Sequence, residues 1–140
     1  RHISTEGWDG IAAAAFRHAL VDACKLVGFK MTLAKLALFI EADGYDADNG
    51  MPLVKIITDE EPEKTEMITR NANGVPDIRV RPLWRNWRVD LRVKFDDTIF
   101  SAIDITNLVM RAGVQCGVCE GRPNSTNSIG MGWGTFEIAA

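Results

Sequence analysis

The chain has 140 residues, 46% of them hydrophobic and 25% charged, with a formal net charge of −3. That length suffices for one core and hardly for two, so a single domain over residues 1–140 is expected. No apolar run approaches the roughly 18 to 20 residues that cross a bilayer, and the slightly negative balance excludes a generally cationic nucleic-acid coat, which leaves only local basic surface for such a role.

In chain order, the sequence opens at Arg1 with neither a methionine nor a signal-peptide pattern, which predicts a missing N-terminal portion able to hold a further strand. Asp9 is placed to cap a helix from Gly10 to about Val27, with Ile11, Ala15, Phe16, Ala19, Leu20, Ala23 and Val27 on its apolar face and Gly28 as its stop. A helical turn at Thr32 to Lys35 leads into a strand at Leu38 to Ile40. Pro52 to Ile57 reads as its returning hairpin partner, across a turn-rich acidic tip from Asp43 to Gly50. Asp43, Asp46 and Asp48 are hard oxygen donors, but they lack the donor spacing, glycine and terminal glutamate of an EF-hand loop. A solvated tip is expected. Asp59 to Glu66 reads as an acidic loop and Asn71 to Pro76 as a turn.

The clearest pattern follows. From Trp87 to Phe95, Trp87, Val89, Leu91, Val93 and Phe95 alternate with Arg88, Asp90, Arg92 and Lys94, which predicts a half-buried strand with a largely basic outer face. Ile78-Arg79-Val80-Arg81 repeats the alternation, and Pro82 to Asn86 is turn-like, so both basic faces are expected on one sheet. Seven basic residues lie between Arg70 and Lys94, against only Asp77 and Asp90. Such local concentration favours a polyanion contact more than net charge does.

Ser101 with Asp104 is close to a capping box opening a second helix to about Ala112, with Ile103, Leu108, Val109 and Ala112 facing a core and Gly113 ending it. Six of the twelve glycines lie between Gly113 and Gly134, before a final strand Thr135 to Ile138. Glycines let backbone amides approach a ligand, so this loop suits phosphates or a nucleic-acid strand; a bulge-rich turn is the plainer reading. Neither a Walker nor a Rossmann pattern is present.

Three cysteines, Cys24, Cys116 and Cys119, are expected to be free thiols. Cys116 and Cys119 have the spacing of half a zinc site without a second half, so no metal or other cofactor is assigned. The two histidines, His2 and His18, form no acid–base arrangement with a nucleophile. Asp96, Asp97 and Asp104 resemble metal-dependent nuclease acids only as far as any acids beside a helix start do.

The order helix, strands, long strand, helix, Gly-rich loop and final strand, together with the segment Gly117 to Gly134, resembles the RAMP superfamily, the RNA-binding subunits of CRISPR effector complexes. That resemblance implies a ferredoxin-like domain. Ala14-Ala15-Phe16, Lys30-Met31-Thr32, Trp87-Arg88-Val89, Asn107-Leu108, Arg111-Ala112-Gly113, Gly117-Val118, Glu120 to Pro123 and Gly134-Thr135-Phe136 together resemble a family of uncharacterised phage-encoded proteins over nearly the whole chain. This likeness implies a setting in phage DNA or RNA metabolism, in the cytoplasm of an infected bacterium.

The expected fold is therefore α+β and ferredoxin-like (βαββαβ, RAMP- or RRM-like), with a hairpin insertion and a Gly-rich loop before the last strand. The expected function is nonenzymatic binding of single-stranded DNA or RNA. Arg79, Arg81, Arg85, Arg88, Arg92, Lys94 and Arg122 would meet phosphates, Trp84 or Trp133 would stack on bases, and Gly130, Gly132 and Gly134 would cradle backbone, with Trp87 left to the core. The alternatives are a phage assembly protein that forms homo-oligomers by pairing its basic sheet with the acidic segment 59–66, and, behind it, a metal-dependent nuclease.

Overall fold

The computed structural model describes the backbone of residues 1–70, 73–119, 122–123 and 133–139, and their side chains except at 67–70 and 77–79. Within these residues the fold is mixed α+β: β1 (His2–Ile3), β2 (Asp9–Ala12), α1 (Ala13–Leu26), α2 (Met31–Ala37), β3 (Leu38–Ile40), β4 (Gly44–Tyr45), β5 (Pro52–Lys55), β6 (Glu63–Arg70), β7 (Pro76–Leu83), β8 (Val93–Phe95) and α3 (Ala102–Arg111), which runs on into a π-helical turn, Ala112–Cys116. The strands are antiparallel throughout. They form a four-stranded sheet in the order β1-β2-β5-β4 and two pairs, β3-β8 and β6-β7.

Helix α1 is the spine of the core. Phe16, Ala19, Leu20, Val21, Ala23 and Cys24 are buried on it, and it packs against α2, α3, β3, β5 and the π-helical turn. Each large apolar side chain removed from water here contributes about 1.5–3 kcal/mol. Arg17 ties the spine down: its Nε donates to the Leu38 carbonyl at 2.9 Å, a second nitrogen donates to the Lys35 carbonyl, and the guanidinium lies 5.2 Å from the centre of the Phe39 ring.

Several elements depart from the sequence-based expectation, mostly through strand partnering. The first helix begins at Ala13, because Gly10, Ile11 and Ala12 pair with Lys55, Val54 and Leu53; Asp9 is thus a strand residue and caps nothing. The expected hairpin of Leu38–Ile40 with Pro52–Ile57 does not form. β3 pairs with β8 instead, and β5 lies between β2 and the short β4. The tip that follows β4 is exposed at residues 47–50, as expected, but it is organised around one buried carboxylate. Asp46 is 5% exposed, and it accepts from the amides of Asp48 and Asn49 at 2.8 and 3.2 Å and pairs with His2 Nδ1 at 3.0 Å. These bonds hold its carboxyl below the usual carboxylate range, the Asp48 amide contributing most.

The acidic segment is no loop beyond its first residues, because β6 starts at Glu63 and pairs over eight positions with β7. Cross-strand pairing overrides the weak strand propensity of its Glu and Lys residues. Consequently β7 and the alternating segment 87–95 lie in different sheets. In the latter the predicted alternation is realised: Trp87, Val89, Leu91, Val93 and Phe95 are half-buried against the core while Arg88, Asp90, Arg92 and Lys94 are exposed. Its pairing, however, is divided between one bridge of Arg88 to Ile57 and the β3-β8 ladder.

The capping box forms as expected, with Ser101 Oγ accepting from the Asp104 amide and Asp104 accepting from the Ser101 amide. The buried stripe of α3 is Ile105, Leu108 and Ala112, supported by Val109, whereas Ile103 is 73% exposed. Gly113 lies inside the π-helical turn rather than ending the helix. A side chain there would strike the Phe136 carbonyl, whose residue also donates its amide to Gly113 O at 3.0 Å. Thr135 to Ile138 is accordingly not a strand: it crosses the end of α3, with Phe136 set edge-on to Phe16 at 5.8 Å between ring centres.

A candidate nucleic-acid interface

A cleft of about 340 Å³ opens between the four-stranded sheet, the root of the β6-β7 ribbon and the segments that follow the π-helical turn. Ile11 and Ala12 of β2, Ala15 of α1, Ile56 and Val118 make its apolar lining. Arg81 at the end of β7 and the adjoining Trp84 and Trp87 form one wall, and Cys119, Trp133 and Gly134 form the other. Arg1 and His2 border it from β1, and among the described residues no acidic one lines it.

The opposite wall is locked by backbone. The Val118 amide donates to the Gly134 carbonyl at 3.0 Å, and Gly134 adopts φ +74° where a β-carbon would run into the Val118 carbonyl. A glycine is therefore needed for a crossing of the chain with itself, and that crossing presents Trp133 to the cleft. Arg122 supports the same wall by donating to the Cys119 carbonyl at 2.9 Å. Of the thiols, Cys24 and Cys116 are buried, which pushes both up, while Cys119 is exposed on a left-handed backbone at φ 65°.

The cations at the cleft are oriented by the protein. Arg1 pairs with Asp9 through bonds of 2.7 and 3.1 Å, and this partner raises its already high pKa. His2 is held by Asp46, and Arg81 donates to the Val80 carbonyl at 2.9 Å while its side chain remains exposed.

The remaining sequence-predicted cations separate into two groups. Arg85 is bound to Glu63 at 3.1 Å, and its backbone amide and that of Asn86 both donate to Glu60. Arg92 is bound to Glu41, to Asp43 and to the Ala42 carbonyl at 3.3, 2.9 and 2.7 Å. Arg88 and Lys94, by contrast, are exposed and make no side-chain bond to a described residue. The Arg79 side chain and all of Gly130 and Gly132 lie outside the described residues. A second, open groove runs between the 85–93 segment, α3 and 135–139; Arg88 borders it, and it shares Trp87 with the cleft.

The structure thus brings Trp84, Trp133, Arg81 and Gly134 together in one place and leaves Arg85 and Arg92 in internal ion pairs. Trp87, assigned to the core, packs against it as expected and also lines the cleft, as do Arg1 and His2, which sequence reasoning did not place there. The close spacing of Trp84 and Trp87 around Arg85-Asn86 was the available signal for the first; nothing in the sequence marked the other two.

The chain matches no protein-family model, no curated protein and no solved structure.

Two of the three acids considered for metal chemistry, Asp96 and Asp104, have local structural tasks, and Asp97 is exposed. Asp96 accepts from the amide and hydroxyl of Thr98 at 2.9 and 2.6 Å, which lowers its pKa, and Asp104 belongs to the capping box. His18, itself exposed, forms an i,i+4 pair with the half-buried Asp22 at 3.2 Å. No helix among the described residues is long and apolar enough to cross a membrane.

Proposed function

We propose that this protein binds single-stranded DNA or RNA without catalysing a reaction on it. What supports this most is the convergence of Trp84, Trp87 and Trp133 with Arg81 on one cleft that, among the described residues, no acidic side chain lines. Aromatic faces stack on bases of any sequence, and neighbouring cations neutralise phosphates, the combination that single-strand binding uses. Arg88 and Lys94 supply further positive charge on the 87–95 segment, and the groove beside Arg88 reaches the cleft through Trp87. That groove also carries Asp90 and Glu137, so a strand lying along it would find its cation at Arg88 and its stacking surface at Trp87. We read the scaffold as a ferredoxin-like variant, in which β2-α1 and β8-α3 supply the two strand–helix units, and the setting as phage nucleic-acid metabolism in a bacterial cytoplasm.

Self-association of basic on acidic surfaces is less well supported, because Glu60 and Glu63 already bind Asn86 and Arg85 within the chain. The deciding measurement is anisotropy titration of labelled single-stranded and duplex DNA and RNA at two salt concentrations. Saturable, salt-sensitive binding to single strands over duplexes is expected. Equal or absent binding to all four overturns the proposal.

A further inference from the structure

We infer that the tryptophan cleft takes one nucleobase at a time, without reading its edges, and that Arg1, His2 and Arg81 receive the phosphate attached to it. This rests on the strand-binding reading above and specifies its ligand.

Size sets the first limit. At about 340 Å³ the cleft lies at the small end of ligand sites, which run to about 1,000 Å³. A single heterocycle with its sugar fills it, and a stack of bases does not.

The lining sets the second. Ile11, Ala12, Ala15, Ile56 and Val118 offer no side-chain hydrogen bond to a base edge, and the tryptophans offer π-faces with one indole N–H each. A base buried among such groups is held by stacking and apolar contact, so its ring area matters more than its donor and acceptor pattern. Purines should therefore exceed pyrimidines, with adenine and guanine nearly alike.

Charge sets the third. Arg1 and Arg81, with the His2 imidazole beside them, all have solvent-accessible side chains, so the basic side chains stand on the open side of an apolar interior. That polarity suits a base pointing inward with its phosphate outward. A neutral aromatic ligand would use only the apolar interior, and a bare anion only the basic rim.

The test is quenching of tryptophan fluorescence in the full chain by AMP, GMP, CMP, UMP, adenosine and inorganic phosphate, each also competed against a labelled single strand. Saturable quenching by AMP and GMP within about threefold of each other is expected, with CMP and UMP about tenfold weaker, as stacking strengths allow. Adenosine should bind more weakly than AMP, and phosphate should not quench. Trp133→Ala and Trp84→Ala, checked for folding by melting, should each weaken AMP about tenfold or more.

A readout free of folding effects is thiol labelling, since Cys119 is exposed beside the cleft while Cys24 and Cys116 are buried. AMP should slow labelling of Cys119. If single strands bind but AMP neither quenches, competes nor protects Cys119, the base pocket is wrong and the strand-binding reading survives. If neither strands nor AMP bind, both fall. AMP binding that ignores the folded tryptophan variants and leaves Cys119 labelling unchanged also overturns the assignment.

Discussion

The carbonyl of Val118 stands where a side chain on Gly134 would have to go, while the Val118 amide donates to the Gly134 carbonyl at 3.0 Å. Two segments well separated in sequence thus touch through backbone at this point, next to Trp133. This wall of the cleft is a piece of architecture before it is a ligand grip. The glycine serves the fold, and any service to a ligand follows from it.

Gly134→Ala should therefore destabilise the whole protein. A residue forced to φ +74° costs about 1–3 kcal/mol before any clash with Val118 is counted. In a domain of this size that lowers the melting temperature by about 2–4 °C per kcal/mol. An unchanged melting temperature would show that the crossing is dispensable.

Asp46 should make the protein acid-labile. Its folded-state pKa is depressed, so its contribution to stability is present above the unfolded carboxyl value, near about 4, and is lost as pH falls through the lower folded value. Glu60 and Asp96, also depressed, act in the same direction. Melting temperatures between pH 7 and pH 2.5 should fall most steeply below about pH 4. Asp46→Asn should lower the neutral-pH value and flatten that descent; a variant with an undiminished slope assigns the effect elsewhere.

The exposed cations divide into two kinds that a salt series separates. Arg88→Ala and Lys94→Ala should each reduce the slope of log K against log salt by up to about 0.7 for a lost single-strand phosphate contact. Arg92→Ala breaks exposed bonds to Glu41 and Asp43, so it should cost about 0–1 kcal/mol of stability and leave the slope nearly intact. Identical slopes in all three variants and the parent would refute the division.

Ser101→Ala removes the hydroxyl that accepts from the Asp104 amide and should cost about 1 kcal/mol by denaturant titration. Because Ser101 lines neither the cleft nor the groove beside Arg88, strand affinity should stay within twofold at temperatures where the variant is folded. A loss of affinity without loss of stability would point instead to a role for this helix start in binding.

What the sequence determined by itself was local. The capping box needs only Ser101 and Asp104 three residues apart, and the inward and outward phases of Trp87 to Phe95 follow from alternation within one segment. Gly28, at φ +78°, follows the helix that it was expected to stop. The tertiary structure decided everything that depends on a distant partner. Asp9 became a strand residue because β5 lies beside it, Leu38–Ile40 found β8 rather than β5, and Asp46 was buried because His2 and its own turn amides reach it. Strand pairing and close backbone crossings are non-local: a period of two says which way a side chain points and nothing about which edge it meets. The cleft is the same case, since Ile11, Trp84 and Trp133 are neighbours only after three separate segments have been brought together.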